Sequence, residues 1–367
     1  RLFVSEASLS RFSKKLGFRG YREFLFAFQG STKSEKNLDI LTRQVLNSYQ
    51  KVLEKTYSLI DNEQMIRLAQ MLDLYDILDD RQIKELEPMS RHTTFGIGGP
   101  ADFFLLPASK DELCEVVRET KSRGIPLTVM GGGANLLVRD KGIRGIVVCT
   151  SRMQKIAVNG NRICAEAGVS TVRTAREACK AGLSGMEFAG GIPGTLGGAA
   201  YMNAGAYGGE MSQIVAEITS CDMEGHLHHY YGHELEYSYR HSLFMNNHEI
   251  IVDVTLAMTP APKDVIKEKM DEYNSRRKEK QPLQDRSAGS TFKRPTGHFV
   301  GQMLETLGLK GFAVGDAQVS TKHAGFLVNK GNASCNDMLH LISEIQTRVK
   351  TEFDVDIEPE VRIIGEE

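Results

Sequence analysis

No two cysteines stand at C-x-x-C spacing: Cys114, Cys149, Cys164, Cys179, Cys221 and Cys335 are scattered along the chain. That scatter argues against a disulfide framework or a zinc site and predicts reduced, structural thiols in a cytoplasmic protein. No apolar run reaches the ~18 to 20 residues that span a bilayer, and no charged-then-apolar signal segment opens the chain. Net charge is almost missing as well. At −2 over 367 residues, it offers no general attraction to nucleic acid or to an anionic membrane. The balance is uneven, since the first thirty residues carry +4 and the remainder −6. There is no internal repeat and no low-complexity tract.

What is present, 41% hydrophobic and 25% charged residues, is ordinary for a soluble globular chain long enough for two or three domains. Residues 5–16, SEASLSRFSKKL, predict a helix. Ser5 is its N-cap, Leu9, Phe12 and Leu16 share a face, and Gly17 stands at C′. Ser8, Arg11, Lys14 and Lys15 are left outside, a face that suits DNA phosphates and equally suits plain solvation. The stretch VSEASLSRFSKKLGFRGYREF resembles the recognition helix and exit of the RpiR family of sugar-responsive regulators. The other helices of that helix-turn-helix domain and the family's sugar-binding domain do not accompany it, so DNA binding by this fragment is not expected. Apolar residues at helical spacing from Leu38 to Leu72 predict two more amphipathic helices, a connector or dimerising element, which makes residues 1–75 an all-α extension. After about Asp76 the texture changes to short β-favouring runs, glycine-rich turns and intervening helices, as in mixed α/β or α+β domains.

Two glycine-rich stretches follow. In PLTVMGGGANLLVRDKGIRGIVV (126–148) a strand over Leu127–Met130 runs into Gly131, Gly132 and Gly133. A dinucleotide-binding Rossmann turn needs a third glycine two residues later and then a helix, but position 136 is Leu and a second strand follows. No G-K-[ST] closes the stretch as a P-loop. What remains is a run of N–H groups able to converge on an anion, with Asn135 as an added donor; a tight turn between strands accounts for the segment equally well. In FAGGIPGTLGGAAYMNAGAYGGE (188–210), Gly191, Gly194 and Gly197 recur every third residue. Pro193 suits the first turn of a short helix, and Thr195 can reach phosphate oxygens. So many missing side chains indicate something flat lying against the chain, or a close helix crossing. Together the two loops point to a dinucleotide.

The motifs TTFGIGGPAD, MGGGANLLVRD, GIPGTLGGAAYMNAGAYGGE, YRHSLF, SAGSTFKRP, GLKGFAVGDAQVSTKHAGFLVN and EPEVRIIG occur in the order found in the MurB family. These are flavoprotein UDP-N-acetylenolpyruvoylglucosamine reductases of cell-wall synthesis, which the chain resembles from about Asp76 to its end. The resemblance implies an FAD-binding α+β domain of the vanillyl-alcohol-oxidase (PCMH) type over 76–259. It also implies a smaller α+β substrate domain over 260–367 ending in a catalytic strand, with NADPH as co-substrate and a nucleotide-sugar as substrate. FAD contacts are implied at Gly131, Gly132, Gly133, Ala134, Asn135 and Leu136. In the second stretch they are implied at Gly191, Ile192, Pro193, Gly194, Thr195, Gly197, Gly198, Asn203, Gly205 and Ala206. Fifty residues from Arg240 to Ser290 resemble the shorter class, which lacks an inserted tyrosine-bearing loop.

The family's reaction implies hydride delivery from reduced flavin to C3 of an enolpyruvyl ether and protonation at C2. Ser290 of SAGSTFKRP matches the proton donor. A-G-S-T-F is not a G-x-S-x-G elbow, so a nucleophile's role lacks support, while a hydrogen bond within its own turn would be the bland alternative. Arg240 matches the catalytic arginine, whose fork suits developing carboxylate charge. Glu360 matches the third member; extended alternation would set Asp354, Asp356, Glu358 and Glu360 on one face, where mutual repulsion raises a carboxyl pKa. Lys293 and Arg294 are candidates for the substrate diphosphate, or surface decoration. Asp285 and Arg286 carry no assigned role. His226, His228, His229 and His233 find no carboxylate or cysteine at ligand spacing and predict a hairpin surface rather than a metal site.

Overall fold

The computed structural model describes residues 74–367 together with Lys14, Arg19 and Glu23. The predicted helix over 5–16, its RpiR-like face and the helices between Leu38 and Leu72 lie outside the described residues. The chain divides into two compact units, Arg1–Arg81 and Gln82–Glu367. Among the described residues the second unit is organised around three hydrophobic cores.

The first sheet and the elements beside it are β1 (Ile83–Pro88), β2 (Pro100–Leu105), helix α1 (Lys110–Ser122), β3 (Leu127–Met130), β4 (Leu136–Val138) and β5 (Ile143–Cys149). The sheet order is β1-β2-β5-β3, with β5 parallel to both neighbours and α1 making the crossover from β2 to β3, while β4 stays outside it. Burial on both faces explains why β5 is the continuous run IVVC, with Ile146 through Cys149 all buried. Ser109 caps α1 through Glu112 N, and Leu113, Val116 and Val117 turn inward at helical spacing.

The second sheet is antiparallel. It draws on β6 (Ile156–Asn159), β7 (Arg162–Glu166), β8 (Val215–Cys221), β9 (Leu227–Tyr231) and β10 (Ile250–Ala257), in the order β9-β8-β10-β7-β6. Helices α2 (Thr171–Ala181), α3 (Leu196–Tyr201) and α4 (Lys263–Lys280) complete its core. Helix α4 is polar almost all round yet buries Ile266, Met270 and Arg277, a stripe at spacings of four and seven that fits one narrow helical face.

The third core belongs to the C-terminal part, around the meander of Ala313–Val314, β11 (Ala317–Val319) and β12 (Leu327–Asn329) and helix α5 (Cys335–Phe353). Ser334 and Asp337 form a capping box on α5, whose Met338, Leu341, Ile342, Ile345 and Val349 face inward. This core takes in Phe95, Ile97 and Leu137 from the first part of the chain. The last strand, β13 (Arg362–Ile364), returns to pair in parallel with β4, directly after the first glycine run. That pairing brings the end of the chain to the loop at 131–135. Among the described residues no helix is long and apolar enough to cross a membrane.

Candidate functional site

The two glycine runs, about sixty residues apart in sequence, lie against each other. A Cβ on Gly131 would stand 2.1 Å from Thr195 Oγ1, and one on Gly132 would stand 2.9 Å from Gly194 Cα. Only residues without side chains allow that approach. Between the loops opens a cavity of about 800 Å³, toward the upper end of ordinary ligand pockets. Its apolar wall includes Leu127, Val129, Ile192 and Ile250. Among the described residues the backbone N–H groups of Gly132, Gly133 and Ala134 have no hydrogen-bond acceptor. A row of free donors beside apolar, side-chain-poor walls fits a flat ring system carrying a diphosphate.

Several expectations change in detail. Pro193 is not in the first turn of α3: Thr195 is the N-cap and its Oγ1 accepts from Gly198 N at 3.4 Å, so Pro193 lies two residues ahead of the cap. The hydroxyl proton of Thr195 is left to donate. The Asn135 amide does not serve as an anion donor but donates to Glu360 O at 3.1 Å. Gly191 and Asn203 do not line the cavity. A Cβ on Gly191 would meet Asn274 Oδ1 at 2.6 Å, so helix α4 demands that glycine. Asn203 is fully buried.

Arg240, Ser290 and Glu360 all line the cavity. The sequence spreads them over 120 residues, and hydrogen bonds assemble them. Arg240 Nε donates to Glu360 Oε1 at 2.7 Å, while Nη1 and Nη2 donate to Asn203 O and Gly205 O, each at 3.3 Å. Glu360 N donates to Thr291 O at 2.7 Å, which ties the glutamate to the segment carrying Ser290. Gly289, at φ +80°, turns that segment so that Ser290 is open to the cavity while Thr291 and Phe292 are buried.

Burial holds the Glu360 carboxyl above the ordinary carboxylate range, and the Arg240 charge opposes this only in part. The expected cause, repulsion along an acidic strand face, does not operate. Residues 354–361 form no strand; Asp354 caps α5 with φ +53°, and both Asp354 and Asp356 pair with Lys350, at 2.8 and 3.0 Å. Glu358 pairs with Lys293 at 2.9 Å. Glu360 alone turns inward.

Lys293 and Arg294 are outside the cavity wall; the Arg294 guanidinium lies 3.7 Å over the Phe299 ring. Asp285 pairs with Lys330 at 2.8 Å, and the Arg286 side chain packs over Gly96. The hairpin expected at 226–233 is present as β8 and β9, but a carboxylate does stand near its histidines. His228 Nε2 is 2.8 Å and His226 Nδ1 3.5 Å from Asp222 Oδ2. Asp222 stands only four residues before His226 in the sequence, and strand pairing adds Glu217, whose Oε1 is 3.1 Å from His229 Nδ1. Among the described residues no group of three or more such side chains could hold a metal ion.

Cavity residues that escaped the sequence reading include His323, Arg277 and Arg362. His323 Nδ1 accepts from Gly325 N at 3.1 Å, leaving Nε2 to carry the proton of the neutral ring, and burial lowers its pKa. Gly325 separates it from Ser290: a Cβ there would stand 3.1 Å from His323 Cε1 and 3.6 Å from Ser290 Oγ. Arg277 is 8% exposed and donates to Gly191 O. The sole available signal for Arg277 was its phase with Ile266 and Met270 on an otherwise polar helix.

This loop pair and its cavity define an FAD-binding protein. Residues 101–231 match a family model described as an FAD binding domain. Residues 281–364 match the model of the UDP-N-acetylenolpyruvoylglucosamine reductase C-terminal domain. A UDP-N-acetylenolpyruvoylglucosamine reductase of Clostridium novyi is 47% identical over 294 residues, 80% of this chain and 96% of that protein. One from Lactobacillus helveticus is 48% identical over 285 residues, 78% of this chain and 96% of its own length. The crystal structure of the Thermus caldophilus enzyme (MurB) superposes with a TM-score of 0.66 at 34% identity, covering 76% of this chain and 97% of that one. The chain belongs to the UDP-N-acetylenolpyruvoylglucosamine reductase family.

Proposed function

We propose that this chain reduces UDP-N-acetylenolpyruvoylglucosamine to UDP-N-acetylmuramate with electrons from NADPH, in peptidoglycan precursor synthesis in the cytoplasm. The observation that carries this reading is the convergence of Arg240, Ser290 and Glu360 on the cavity walled by both glycine loops. FAD, when bound, supplies two-electron transfer from NADPH to C3 of the enolpyruvyl ether. The free N–H groups of Gly132, Gly133 and Ala134 and the Thr195 hydroxyl would hold its diphosphate. Residues 76–259 form the FAD domain and 260–367 the substrate domain. The short interval between Arg240 and Ser290 is in keeping with the class without the tyrosine-bearing loop. Lys293 and Arg294 are candidates for the substrate's diphosphate.

The protein's own work lies at C2 and the carboxylate, where hydride addition at C3 leaves negative charge. Arg240 keeps one N–H on each terminal nitrogen for that carboxylate, because its other contacts are made to Glu360, Asn203 and Gly205. Glu360 offers Oε1 to Arg240, leaving Oε2 to carry a proton toward the substrate carboxylate. Ser290 gives its hydroxyl proton to C2 and recovers one from solvent.

The direct test is anaerobic. Protein reduced by NADPH and then mixed with the enolpyruvyl UDP-sugar should regain oxidised flavin absorbance stoichiometrically with product; flavin that stays reduced refutes the reading. The pH dependence follows from Glu360. Its folded-state pKa lies above the ordinary carboxyl value, so it is protonated below that raised pKa and ionises as pH climbs through it. Reoxidation should therefore fall with rising pH. Glu360→Gln cannot ionise, and should lose that limb and run about tenfold slower at low pH, the worth of one hydrogen bond to a charged group. Stopped-flow pH profiles of both proteins decide it.

A further inference from the structure

We infer that Asn203 is a positioning residue for Arg240, acting through the main chain and touching no ligand; the inference rests on the reaction proposed above. Asn203 is 0% exposed and absent from the cavity wall. Its φ of +43° is left-handed, a conformation asparagine tolerates better than most residues with a side chain. Both ends of its amide are used: Nδ2 donates to Ser238 O at 2.9 Å and Oδ1 accepts from Ser212 N at 2.9 Å. Its own carbonyl accepts from Arg240 Nη1 at 3.3 Å.

Ser238 and His241 close a turn through reciprocal backbone bonds of 3.2 Å, and Arg240 sits inside that turn at φ +55°. One side chain therefore joins the two parts that determine where the guanidinium lies. On one side is the loop whose carbonyls at 203 and 205 grip the fork; on the other is the turn that carries the arginine's main chain. Left-handed residues other than glycine cost energy and persist where their surroundings over-determine them. Here two of them, Asn203 and Arg240, are bonded to each other. Gly205 and Ala206, on the same loop, form part of the cavity wall, so Asn203 also couples that wall to the arginine. A parallel tie, Ser242 Oγ donating to Tyr201 O at 2.7 Å, holds the same segments together. Loss of the asparagine side chain should then misplace Arg240 rather than unfold the region.

Asn203→Gly keeps the left-handed backbone and removes both side-chain bonds. The expected result is wild-type FAD content and affinity, an unchanged rate of flavin reduction by NADPH, and reoxidation by the enolpyruvyl UDP-sugar slowed about thirty- to a hundredfold. The loss should fall on kcat more than on KM. Lower flavin content and Tm with both half-reactions slowed together would mean a merely structural role and overturn the inference. Weakened FAD affinity with normal reoxidation would overturn it in favour of a cofactor contact. If the glycine variant does not fold, Asn203→Asp, which keeps the Ser212 bond, is read by the same division between half-reactions. A wild-type protein that accepts electrons from NADPH but never passes them to this substrate defeats the proposed function itself. A wild type that turns over beside an unaffected Asn203→Gly defeats this inference alone.

Discussion

Ser290→Ala should bind FAD and accept electrons from NADPH as the wild type does, yet pass them to the enolpyruvyl UDP-sugar about a thousandfold more slowly, the usual worth of a positioned proton donor. The expectation rests on what surrounds the hydroxyl. Among the described residues Ser290 Oγ has no hydrogen-bond partner, so no general base activates it as a nucleophile and its proton is available to a ligand. The backbone around it is held from both sides, by Thr291 N to Gly325 O at 3.0 Å and by Glu360 N to Thr291 O at 2.7 Å. Alanine removes the hydroxyl and leaves that frame intact. Rapid mixing of NADPH-reduced variant with substrate reads the rate directly. Ser290→Cys, which retains an acidic proton at the same place, should recover part of it. Reoxidation of the alanine variant at the wild-type rate would remove Ser290 from the chemistry while leaving the family assignment untouched.

The second large effect is expected from Arg240→Lys, at about a hundred- to a thousandfold on the same half-reaction, comparable with removal of a donor that stabilises transition-state charge. Charge alone is preserved in this variant. What disappears is the planar fork, which at once bonds Glu360, two loop carbonyls and, in the proposed reaction, the substrate carboxylate. A lysine ammonium can satisfy some of these partners but cannot meet a carboxylate with two parallel bonds. The Glu360 carboxyl, losing the Arg240 Nε hydrogen bond that partly offsets burial, should titrate at still higher pH. An arginine that merely neutralised Glu360 would be replaced by lysine at little cost. A fall of less than tenfold, with an unchanged pH profile, would therefore contradict the role given to Arg240.

The glycine loops were legible because a backbone that must come within about 3 Å of another backbone has one available residue type. That constraint is visible in any linear reading of 131–133 and 191–198. The strand over Leu127–Met130 was legible for a similar reason: a short apolar run ending at glycines has few alternatives. Ser290, Arg240 and Glu360 could be singled out by motif but not brought together from composition or periodicity. Their meeting depends on β13 returning to pair with β4, on Glu360 N reaching Thr291 O, and on the turn at 238–241.

Other features show where linear reasoning misleads. The acidic run 354–360 has perfect alternation on paper, but Asp354 adopts a left-handed cap and Lys350 and Lys293 draw three of its carboxylates outward. Glu360 is raised by desolvation, a quantity set by what the rest of the chain packs around it. The residues of the second glycine stretch look alike in sequence, yet their reasons differ. Gly194 faces the first loop, Gly191 faces helix α4 and Asn203 is buried behind the wall. Local chemistry, which depends on φ, side-chain size and hydrogen-bonding type, is written residue by residue and can be read that way. The raised pKa of Glu360 and the orientation of Arg240 depend on neighbours more than a hundred residues distant in the chain. Burial and long-range hydrogen bonds come into being only when the chain is folded.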